Sequence, residues 1–403
     1  MLVSEADEPG QWLLIMCNAI GSPIESKYIH IEPKVVTMTA YHVVVSDGSL
    51  VYVWQYRSLR SSLTQLEAPS ASGRKGGRER LFHISEGVTG DSVDAVRARH
   101  ATRGAAGETS DPVTAMCGNR ELLVLCFANG GAQCYDLPQL GLGPRHALGC
   151  CAQRVSLNAD GSRLAVVDAQ GTAHMYNRRP PKGPGGDDSE HSYSYDIASG
   201  ELVGERMAFE RRDVWDFCWS RDDPQLLALM SKTRMYTYRG LEPEEPVVSM
   251  GHICAFNELQ IRAVLLDEIM KCPEDPSRDL VTWFETKSLR DTRALMVEAP
   301  MADAYQFVDD NAHPRLWRLL AEAALERLDF PIADKAFVRC SDYHGIQFVK
   351  RLARLESEPA RRAEIAAYFK RFDDAERLYL EADRADLAVE LRKHLGDCLL
   401  YTS

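Results

Sequence analysis

The sequence lacks the features that mark several large classes of protein. It has no Cys-x-x-Cys pair among its 11 cysteines and no His at zinc-finger spacing, so we expect no metal site. No apolar run approaches the roughly 18 residues that a membrane span needs. The early run 12–17 follows acidic residues, whereas a signal peptide has Lys or Arg there. We therefore expect an intracellular protein without an integral membrane segment.

Positive charge and catalytic motifs are also in short supply. The chain has 47 Lys and Arg against 59 Asp and Glu, a net charge of -12, which disfavours binding to nucleic acid. It contains no nucleophile elbow, no glycine-rich phosphate loop and no metal-binding His pair. We predict no catalytic residue, no cofactor and no enzymatic activity.

The sequence does contain a repeated pattern of three apolar strands separated by polar turns. Four units share it, and they cover residues 35–57, 112–137, 154–178 and 213–239. The aromatic residues near the ends of the second and third units, Tyr135 and Tyr176, are 41 positions apart, which is the length of one WD-type β-propeller blade. Segments at about 58–111 and 178–200 are rich in Gly, Pro, Ser and charge, and we interpret them as surface insertions.

The strand pattern occupies residues 1–258 and begins at the N-terminus, so the start of a propeller is missing. Either the ring closes on few blades or the chain is a piece of a longer protein. The predicted fold is thus a set of WD-type β-propeller blades in an incomplete ring, followed by an α-solenoid.

Residues 259–403 are expected to form that solenoid, because the apolar period changes from 2 to 3.6. A helix starting at Pro314 has Asn311 as its expected cap, and Trp317 is expected in the core between helices. The segment from Phe330 aligns with the segment from Phe372 at an offset of 42, and it pairs a small residue with an aromatic four positions later in both copies. This spacing is typical of tetratricopeptide-like repeats.

Several unusual strings resemble one family. "SPIESKYIHIEP", "FERRDVWDFCWS", "KTRMYTYRGLEPEEP" and "AFVRCSDYHGIQFVKRL" are similar to parts of the WD-repeat subunits of intraflagellar transport complex A. Members carry two propellers and a long helical solenoid, and this chain resembles later blades of the second propeller with the first helical repeats. The sequence departs from the family at Cys398 to Ser403, which we interpret as a truncation or a foreign tail.

The resemblance implies a non-enzymatic scaffold for retrograde ciliary transport, cilium assembly and ciliary entry of membrane cargo. The implied partners are other complex A subunits and ciliary membrane cargo or adaptors. The implied locations are the cilium, axoneme, basal body and cytoplasm. A coatomer-like vesicle coat or trafficking subunit is the alternative of related architecture. A propeller-type hydrolase and a ubiquitin-ligase adaptor are further alternatives.

Two charged segments are candidate partner contacts. Arg211, Arg212 and Asp213 begin a strand near a blade edge, where propellers bind partners. Arg74, Lys75 and Arg78 lie in a basic loop that is either simply solvated or a contact for an anion or a partner. In the strand after Asp213, alternation places Trp215 in one buried row with Phe217 and Trp219.

Overall fold

The structure is a computed structural model that describes residues 2–6, 10–18, 20–57, 79–89, 91–103, 111–178, 195–196, 201–202, 205–275 and 277–395. Two compact units divide the chain. The strand unit contains Met1–Asn257 and Ile261–Trp283, and the helical unit contains Glu258–Gln260 and Phe284–Ser403.

Within the described residues, the strand unit contains six sheets whose strands follow the chain order closely. The first sheet holds β1 (Leu2–Glu5), β2 (Trp12–Cys17) and β3 (Pro23–Ile29), and the second holds β4 (Val35–Met38), β5 (His42–Ser46), β6 (Leu50–Gln55) and β7 (Glu79–His83), followed by α1 (Val93–Arg103). The third sheet contains β8 (Val113–Gly118), β9 (Leu122–Phe127), β10 (Gly131–Asp136) and β11 (Gly141–Ala147). Strand β7 and helix α1 lie inside the segment that the sequence predicted as an insertion.

The remaining sheets repeat the same meander. The fourth sheet contains β12 (Ala152–Leu157), β13 (Arg163–Asp168) and β14 (Ala173–Asn177). The next two strands along the chain, β15 (Tyr195–Asp196) and β16 (Glu201–Leu202), extend the third sheet. Strand β17 (Glu205–Arg211) then completes the fourth. The fifth contains β18 (Val214–Trp219), β19 (Leu226–Ser231), β20 (Arg234–Arg239), β21 (Glu242–Pro243) and β22 (Val247–Val248), and the sixth contains β23 (His252–Asn257), β24 (Gln260–Val264) and β25 (Val281–Glu285), with α2 (Leu266–Ile269) between the last two strands.

These sheets confirm the predicted propeller blades. Each of the four repeat units found in the sequence forms three successive antiparallel strands of one sheet. The first strands of neighbouring sheets, from β4 through β8, β12 and β18 to β23, lie next to one another. As predicted, the sheets in the described part of the chain do not close into a ring.

Apolar side chains fill the space between successive sheets. Val44 and Phe82 of the second sheet pack with Leu123 and Tyr135 of the third, and the rings of Phe82 and Tyr135 lie 5.4 Å apart. Burial of each such side chain contributes about 1.5–3 kcal/mol. Because every sheet needs its neighbour to cover these residues, the blades are stable only as a stack.

The strand unit also buries titratable groups. His42 is 1% exposed and His146 is 6% exposed, and neither ring nitrogen of His42 nor Nε2 of His146 has a hydrogen-bond partner within the described residues. Burial, assisted by the charge of Arg178, lowers the pKa of His146 to about 4, and burial also lowers the pKa of His42. Burial raises the pKa of the Cys134 thiol to about 11. These groups are therefore neutral at pH 7.

Strands continue past residue 258, where the sequence analysis placed the end of the propeller. Strand β24 begins at Gln260 and β25 ends at Glu285. The sixth sheet contains short, weakly alternating strands separated by α2 and a proline-rich connection, so its period-2 signal is hard to separate from the helical signal that follows.

The helical unit consists of α3 (Lys287–Glu298), α4 (Met301–Asp310), α5 (Pro314–Glu326), α6 (Phe330–Arg339), α7 (Tyr343–Ala353), α8 (Glu358–Tyr368), α9 (Phe372–Glu381) and α10 (Ala385–Leu395). The offset of 42 is confirmed, because α6 and α7 correspond residue for residue to α9 and α10. We name residues 330–353 the first helical repeat and residues 372–395 the second helical repeat.

Small residues let the helices approach closely, as predicted. Ala333 and Ala375 are fully buried, and the rings four positions later, Phe337 and Tyr379, are 0% and 4% exposed. Trp317 is 3% exposed, which confirms its predicted place in the core. Gly345 of α7 lies against the Phe337 ring so closely that an added Cβ would be 2.6 Å from Cγ. Glycine is therefore required at this crossing.

The turns of the helical repeats are built on a common backbone motif. Leu328, Ser341, Lys370 and Asp383 each have a left-handed backbone, with φ of 61°, 58°, 60° and 56°. In each turn the next N–H donates to the carbonyl five residues earlier, over 2.8 to 3.0 Å. This Schellman arrangement ordinarily favours glycine at the left-handed position.

The helix caps differ between the two repeats. The carboxylates of Asp329 and Asp342 accept from the N–H groups of Ile332 and Gly345 in the first repeat, whereas Arg371 at the start of α9 provides no cap. The cap of α5 was predicted wrongly. His313 occupies that position instead of Asn311, and its Nδ1 accepts from the N–H of Arg315 over 3.1 Å, because an extended residue directly before Pro314 is the one whose side chain can reach that N–H.

Candidate functional site

Arg211 lies at the end of β17, the outer strand of the fourth sheet. Its guanidinium carbon is 3.7 Å from the centre of the Tyr236 ring in the fifth sheet. Burial raises the pKa of the neighbouring Tyr238 hydroxyl, and the charge of Arg211 opposes that rise. Arg211 is thus occupied by a cation–π contact between two blades. Its contact with a partner stays a prediction.

Arg212 and Asp213 form the turn that leads into the fifth sheet. The Arg212 side chain is 82% exposed, with Nε 3.7 Å from Glu210 Oε1, and its carbonyl accepts from the Ser231 hydroxyl. Asp213 has a left-handed backbone, φ 59°, and its carboxylate lies 3.3 Å from Lys232 Nζ. Arg212 and Lys232 are thus two exposed cations on one edge of the sheet, each within ion-pair distance of an exposed carboxylate.

Trp215 does not lie in the buried row predicted for it. The pairing of β18 with β19 shifts between Val214 and Asp216, so both of these residues are buried and Trp215 between them is half-buried. The alternation then resumes with Phe217 and Trp219 buried, as predicted. A β-bulge of this kind turns one side chain toward the opposite face, and a regular period-2 analysis misses it.

The carboxylate of Asp216 connects three neighbouring blades. It accepts from Arg154 Nη2 of the fourth sheet over 2.8 Å and from the Ile253 N–H of the sixth sheet over 2.8 Å. Arg154 Nη1 also donates to the Trp215 carbonyl over 2.6 Å. A buried carboxylate requires a counter-ion and donors, and here both come from adjacent first strands.

His252 completes this surface. Its ring lies edge-on to Trp215 at 5.0 Å, its Nδ1 is 3.9 Å from Asp216 Oδ2, and its side chain is 48% exposed. Trp215 Nε1 donates to the Lys232 carbonyl over 2.8 Å, which links this cluster to the turn at Asp213. We name the resulting surface the rim patch, defined by Arg154, Arg212, Trp215, Lys232 and His252.

The chemistry of the rim patch is that of binding. Asp216 is saturated by its donors, and burial raises the pKa of the adjacent Cys218 thiol, which therefore stays protonated and weakly nucleophilic. Among the described residues there is no group of three or more His, Cys, Asp and Glu that could hold a metal ion. Arginine and tryptophan side chains, both present in the rim patch, are enriched among the residues that dominate protein contacts.

Sequence reasoning found part of this surface. It singled out Arg211, Arg212 and Asp213, and the structure places Arg212 and Asp213 on the rim patch or directly beside it. It missed Arg154, Lys232 and His252, which lie far apart along the chain and meet only because their blades are neighbours. Asp216 was the available signal, since a carboxylate inside an apolar strand requires a partner. Arg74, Lys75 and Arg78 lie outside the described residues, as do Cys398 to Ser403.

The fold and the site define a class: a repeat protein whose β-propeller blades precede tetratricopeptide-like helices and whose surface is suited to binding. Comparison of the sequence with protein families identifies it further. Residues 1–285 match the family described as WDR35 second beta-propeller, and residues 316–396 match the family described as IFT80/172/WDR35/WDR19 TPR domain. The chain belongs to the WD repeat-containing protein 35 family.

Curated relatives agree with this assignment. The chain is 45% identical to WD repeat-containing protein 35 of Rattus norvegicus, over 98% of this chain and 33% of that protein, and 46% identical to the Homo sapiens protein, over 96% and 31%. It is 22% identical to the Homo sapiens intraflagellar transport protein 122 homolog, over 59% and 17%. The chain thus spans about a third of the length of the first two relatives.

One solved structure, KlHsv2 with loop 6CD replaced by a Gly-Ser linker, has a TM-score of 0.36 and 14% identity over 65% of this chain and 74% of its own, which is too weak to carry an argument. No helix in the described ranges is long and apolar enough to cross a membrane.

Proposed function

We propose that this chain is a non-enzymatic scaffold segment of intraflagellar transport complex A. The observation that carries the proposal is the order of the two family matches, a WDR35 propeller followed by a helical domain named for intraflagellar transport proteins. The weaker similarity to an intraflagellar transport protein 122 homolog supports the same assignment. The proposed partners are other complex A subunits, together with ciliary membrane cargo or its adaptors.

The proposed cellular role follows from that membership. The scaffold supports retrograde transport along the axoneme, cilium assembly and the entry of membrane cargo into cilia. It acts at the cilium, axoneme and basal body and is also present in the cytoplasm. Its contribution is to provide contact surface, because blades offer rigid rims and helical repeats offer long faces for neighbouring subunits.

Within this function, the rim patch serves as a docking surface for another subunit. Its two exposed cations are held by the turn at Asp213, and its indole is held by a hydrogen bond to the Lys232 carbonyl. A surface that is already ordered loses little side-chain entropy when a partner binds. The partner surface should therefore be acidic, with an apolar residue opposite Trp215.

The test is affinity purification of the tagged chain from ciliated cells, followed by mass spectrometry. We expect other complex A subunits to co-purify with the unmodified chain. The double variant Arg212→Glu with Lys232→Glu should recover them about tenfold less well, because reversed charges repel the acidic partner surface. Arg120→Glu, an exposed charge reversal in a turn of the third sheet, is the matched control and should recover them normally.

Two results would contradict these proposals separately. Recovery of vesicle-coat subunits in place of complex A subunits would overturn the assigned function. Recovery of complex A subunits that is equal for the double variant and for Arg120→Glu would overturn the role of the rim patch and leave the function standing. Melting curves of all three proteins should lie within a few degrees of one another, since every substituted side chain is exposed and exposed ion pairs contribute about 1 kcal/mol or less.

A further inference from the structure

A groove of about 530 Å³ runs along α7 and faces the end of α8 in the helical unit. Its lining includes four basic side chains and two rings, namely His344, Lys350, Arg351, Arg354, Phe348 and Tyr368. Grooves of this volume are large enough to hold several side chains of a bound peptide. The groove belongs to a different unit from the rim patch and requires a separate explanation.

The floor of the groove is aromatic and well ordered. The rings of Phe348 and Tyr368 stack at 4.8 Å with an interplanar angle of 17°. The guanidinium of Arg351, which also lines the groove, lies 5.3 Å from the centre of the Phe348 ring. Burial raises the pKa of Tyr368, so its hydroxyl stays neutral. The floor therefore offers an apolar surface bordered by positive charge.

Basic side chains line the groove, and no carboxylate is among the described residues that line it. Arg351 is paired with Glu364 over 2.7 Å, and Glu364 also accepts from the Tyr379 hydroxyl, so that carboxylate is already engaged. Lys350 and Arg354 are exposed, and neither forms an ion pair with any residue that the structure describes.

The acidic groups near the floor are likewise engaged. Asp342 caps α7 by accepting from the Gly345 N–H over 3.0 Å, and Glu322 pairs with Arg318 over 3.2 Å. Lys350 and Arg354, which lack an ion-pair partner among the described residues, and the imidazole of His344 therefore remain at the groove, together with one capping carboxylate near its floor, Asp342.

The packing of the repeat does not require these residues. The second helical repeat, 42 positions later, places Asp386 where the first has His344 and Glu390 where the first has Phe348. The buried pairs in the first helix of each repeat keep their character, since Ala333 and Phe337 correspond to Ala375 and Tyr379 and all four are buried. Lys350 and Arg351 have basic counterparts in Arg392 and Lys393, so the aromatic floor and the imidazole are what distinguish the groove from the second repeat.

We propose that this groove binds an acidic, extended segment of a partner protein, with one apolar side chain of that segment on the Phe348–Tyr368 stack. Lys350 and Arg354 contact carboxylates on either side of the apolar residue. A membrane surface fits less well, because the site is concave whereas a bilayer surface is flat. This binding site lies outside the surface assigned above and does not depend on complex A membership.

The test is fluorescence anisotropy of the full chain with a labelled peptide of alternating Glu and Asp around a single Leu. We expect saturable binding that weakens as salt increases. Lys350→Glu combined with Arg354→Glu should weaken binding by about tenfold or more, because two attractive charges become repulsive. Phe348→Ala should weaken binding without changing its dependence on salt, since it removes the apolar contact alone.

Controls separate the proposed ligand from other sources of negative charge. Lys335→Glu, an exposed charge reversal on α6 outside the groove, should bind the peptide like the unmodified chain. Inorganic phosphate and phosphatidylserine vesicles should compete poorly. Equal loss of binding in Lys335→Glu would show that net charge alone explains the effect. Tighter binding to vesicles than to the peptide would show that the ligand is a membrane surface. Either result would overturn the proposal.

Discussion

The strand unit and the helical unit use opposite means to join their repeats. Between blades, the strand unit buries imidazoles, thiols and the carboxylate of Asp216 among apolar side chains. The helical unit joins its repeats with alanines and single rings, and His313, the one imidazole that it buries among the described residues, caps a helix. We therefore expect protonation at low pH to destabilise the interfaces between blades. We expect a substitution that adds a single methyl group to destabilise the interfaces between helices.

The two helical repeats extend this comparison. They share helix bounds, turn motif and two buried pairs, Ala333 with Ala375 and Phe337 with Tyr379. They differ in caps, in the burial of α7 and α10 and in the chemistry of their exposed faces. The stacking of helices requires the shared features. The features that differ can vary with what each repeat binds. Matched substitutions in the two repeats can therefore separate folding from recognition.

The largest expected effect is acid sensitivity of the strand unit. His146 has a pKa of about 4 in the folded chain, against about 6.5 unfolded. Folding therefore favours the neutral ring. The stability that this preference supplies is complete above about pH 6.5, the pKa in the unfolded chain, and is lost as the pH falls toward about 4, the pKa in the folded chain. By about pH 5 this costs roughly 2 kcal/mol.

Urea unfolding at several pH values, followed by tryptophan fluorescence, measures this loss, because Trp12, Trp54, Trp215, Trp219 and Trp283 belong to the strand unit. His146→Gln should flatten the dependence on pH, and His344→Gln, at an exposed imidazole of the helical unit, should leave it unchanged. An equally steep dependence in His146→Gln would show that other groups cause it.

The next effect concerns the close crossing at Gly345. Gly345→Ala should destabilise the helical unit by about 1–3 kcal/mol, because the new methyl group overlaps the buried Phe337 ring. Ordinary helix propensity predicts the opposite sign, a gain of about 1 kcal/mol. Urea unfolding followed by helical circular dichroism decides between them.

Gln347→Ala, at an exposed position two residues later, is the control and should be nearly neutral. The smaller side chain in Phe337→Leu should partly rescue Gly345→Ala. A stabilising Gly345→Ala would show that the ring moves aside freely.

Helix capping allows a matched pair of substitutions whose expected effect on stability is smaller. Asp329→Ala removes the carboxylate that accepts from the Ile332 N–H and should cost about 1 kcal/mol. Arg371→Ala, 42 positions later, removes an exposed ion pair with Glu326 and a cation–π contact with the Phe369 ring, and should cost less than about 1 kcal/mol. Both values come from the same unfolding measurement, and equal costs would contradict the difference in capping.

The smallest effect comes from the left-handed turn positions. Lys370→Gly should stabilise the helical unit by about 0.5–1 kcal/mol. Glycine adopts this left-handed backbone without the clash of a Cβ, and this gain exceeds the loss caused by the greater conformational entropy of glycine in the unfolded chain. Lys335→Gly inside α6 should instead destabilise it by about 1 kcal/mol. Thermal melts of the two variants should therefore shift in opposite directions.

The sequence predicted the repeats better than their contacts. The blade units and the offset between Phe330 and Phe372 follow from periodicity, which each strand or helix carries within itself. The orientation of Trp215 depends on a bulge, and the meeting of Arg154 with His252 depends on which blades are neighbours. Such features arise from pairing between distant segments, and one sequence gives no direct sign of them.

The sorting of cysteines into interior and surface has a practical consequence for spectroscopy. Cys126 and Cys134 are buried with raised pKa values, whereas Cys151, Cys254 and Cys272 are exposed. A maleimide dye or spin label reacts with accessible thiolates, so these three positions, all in the strand unit, are natural attachment points. The native chain thus carries its own reporter sites for following how blades respond when a partner arrives.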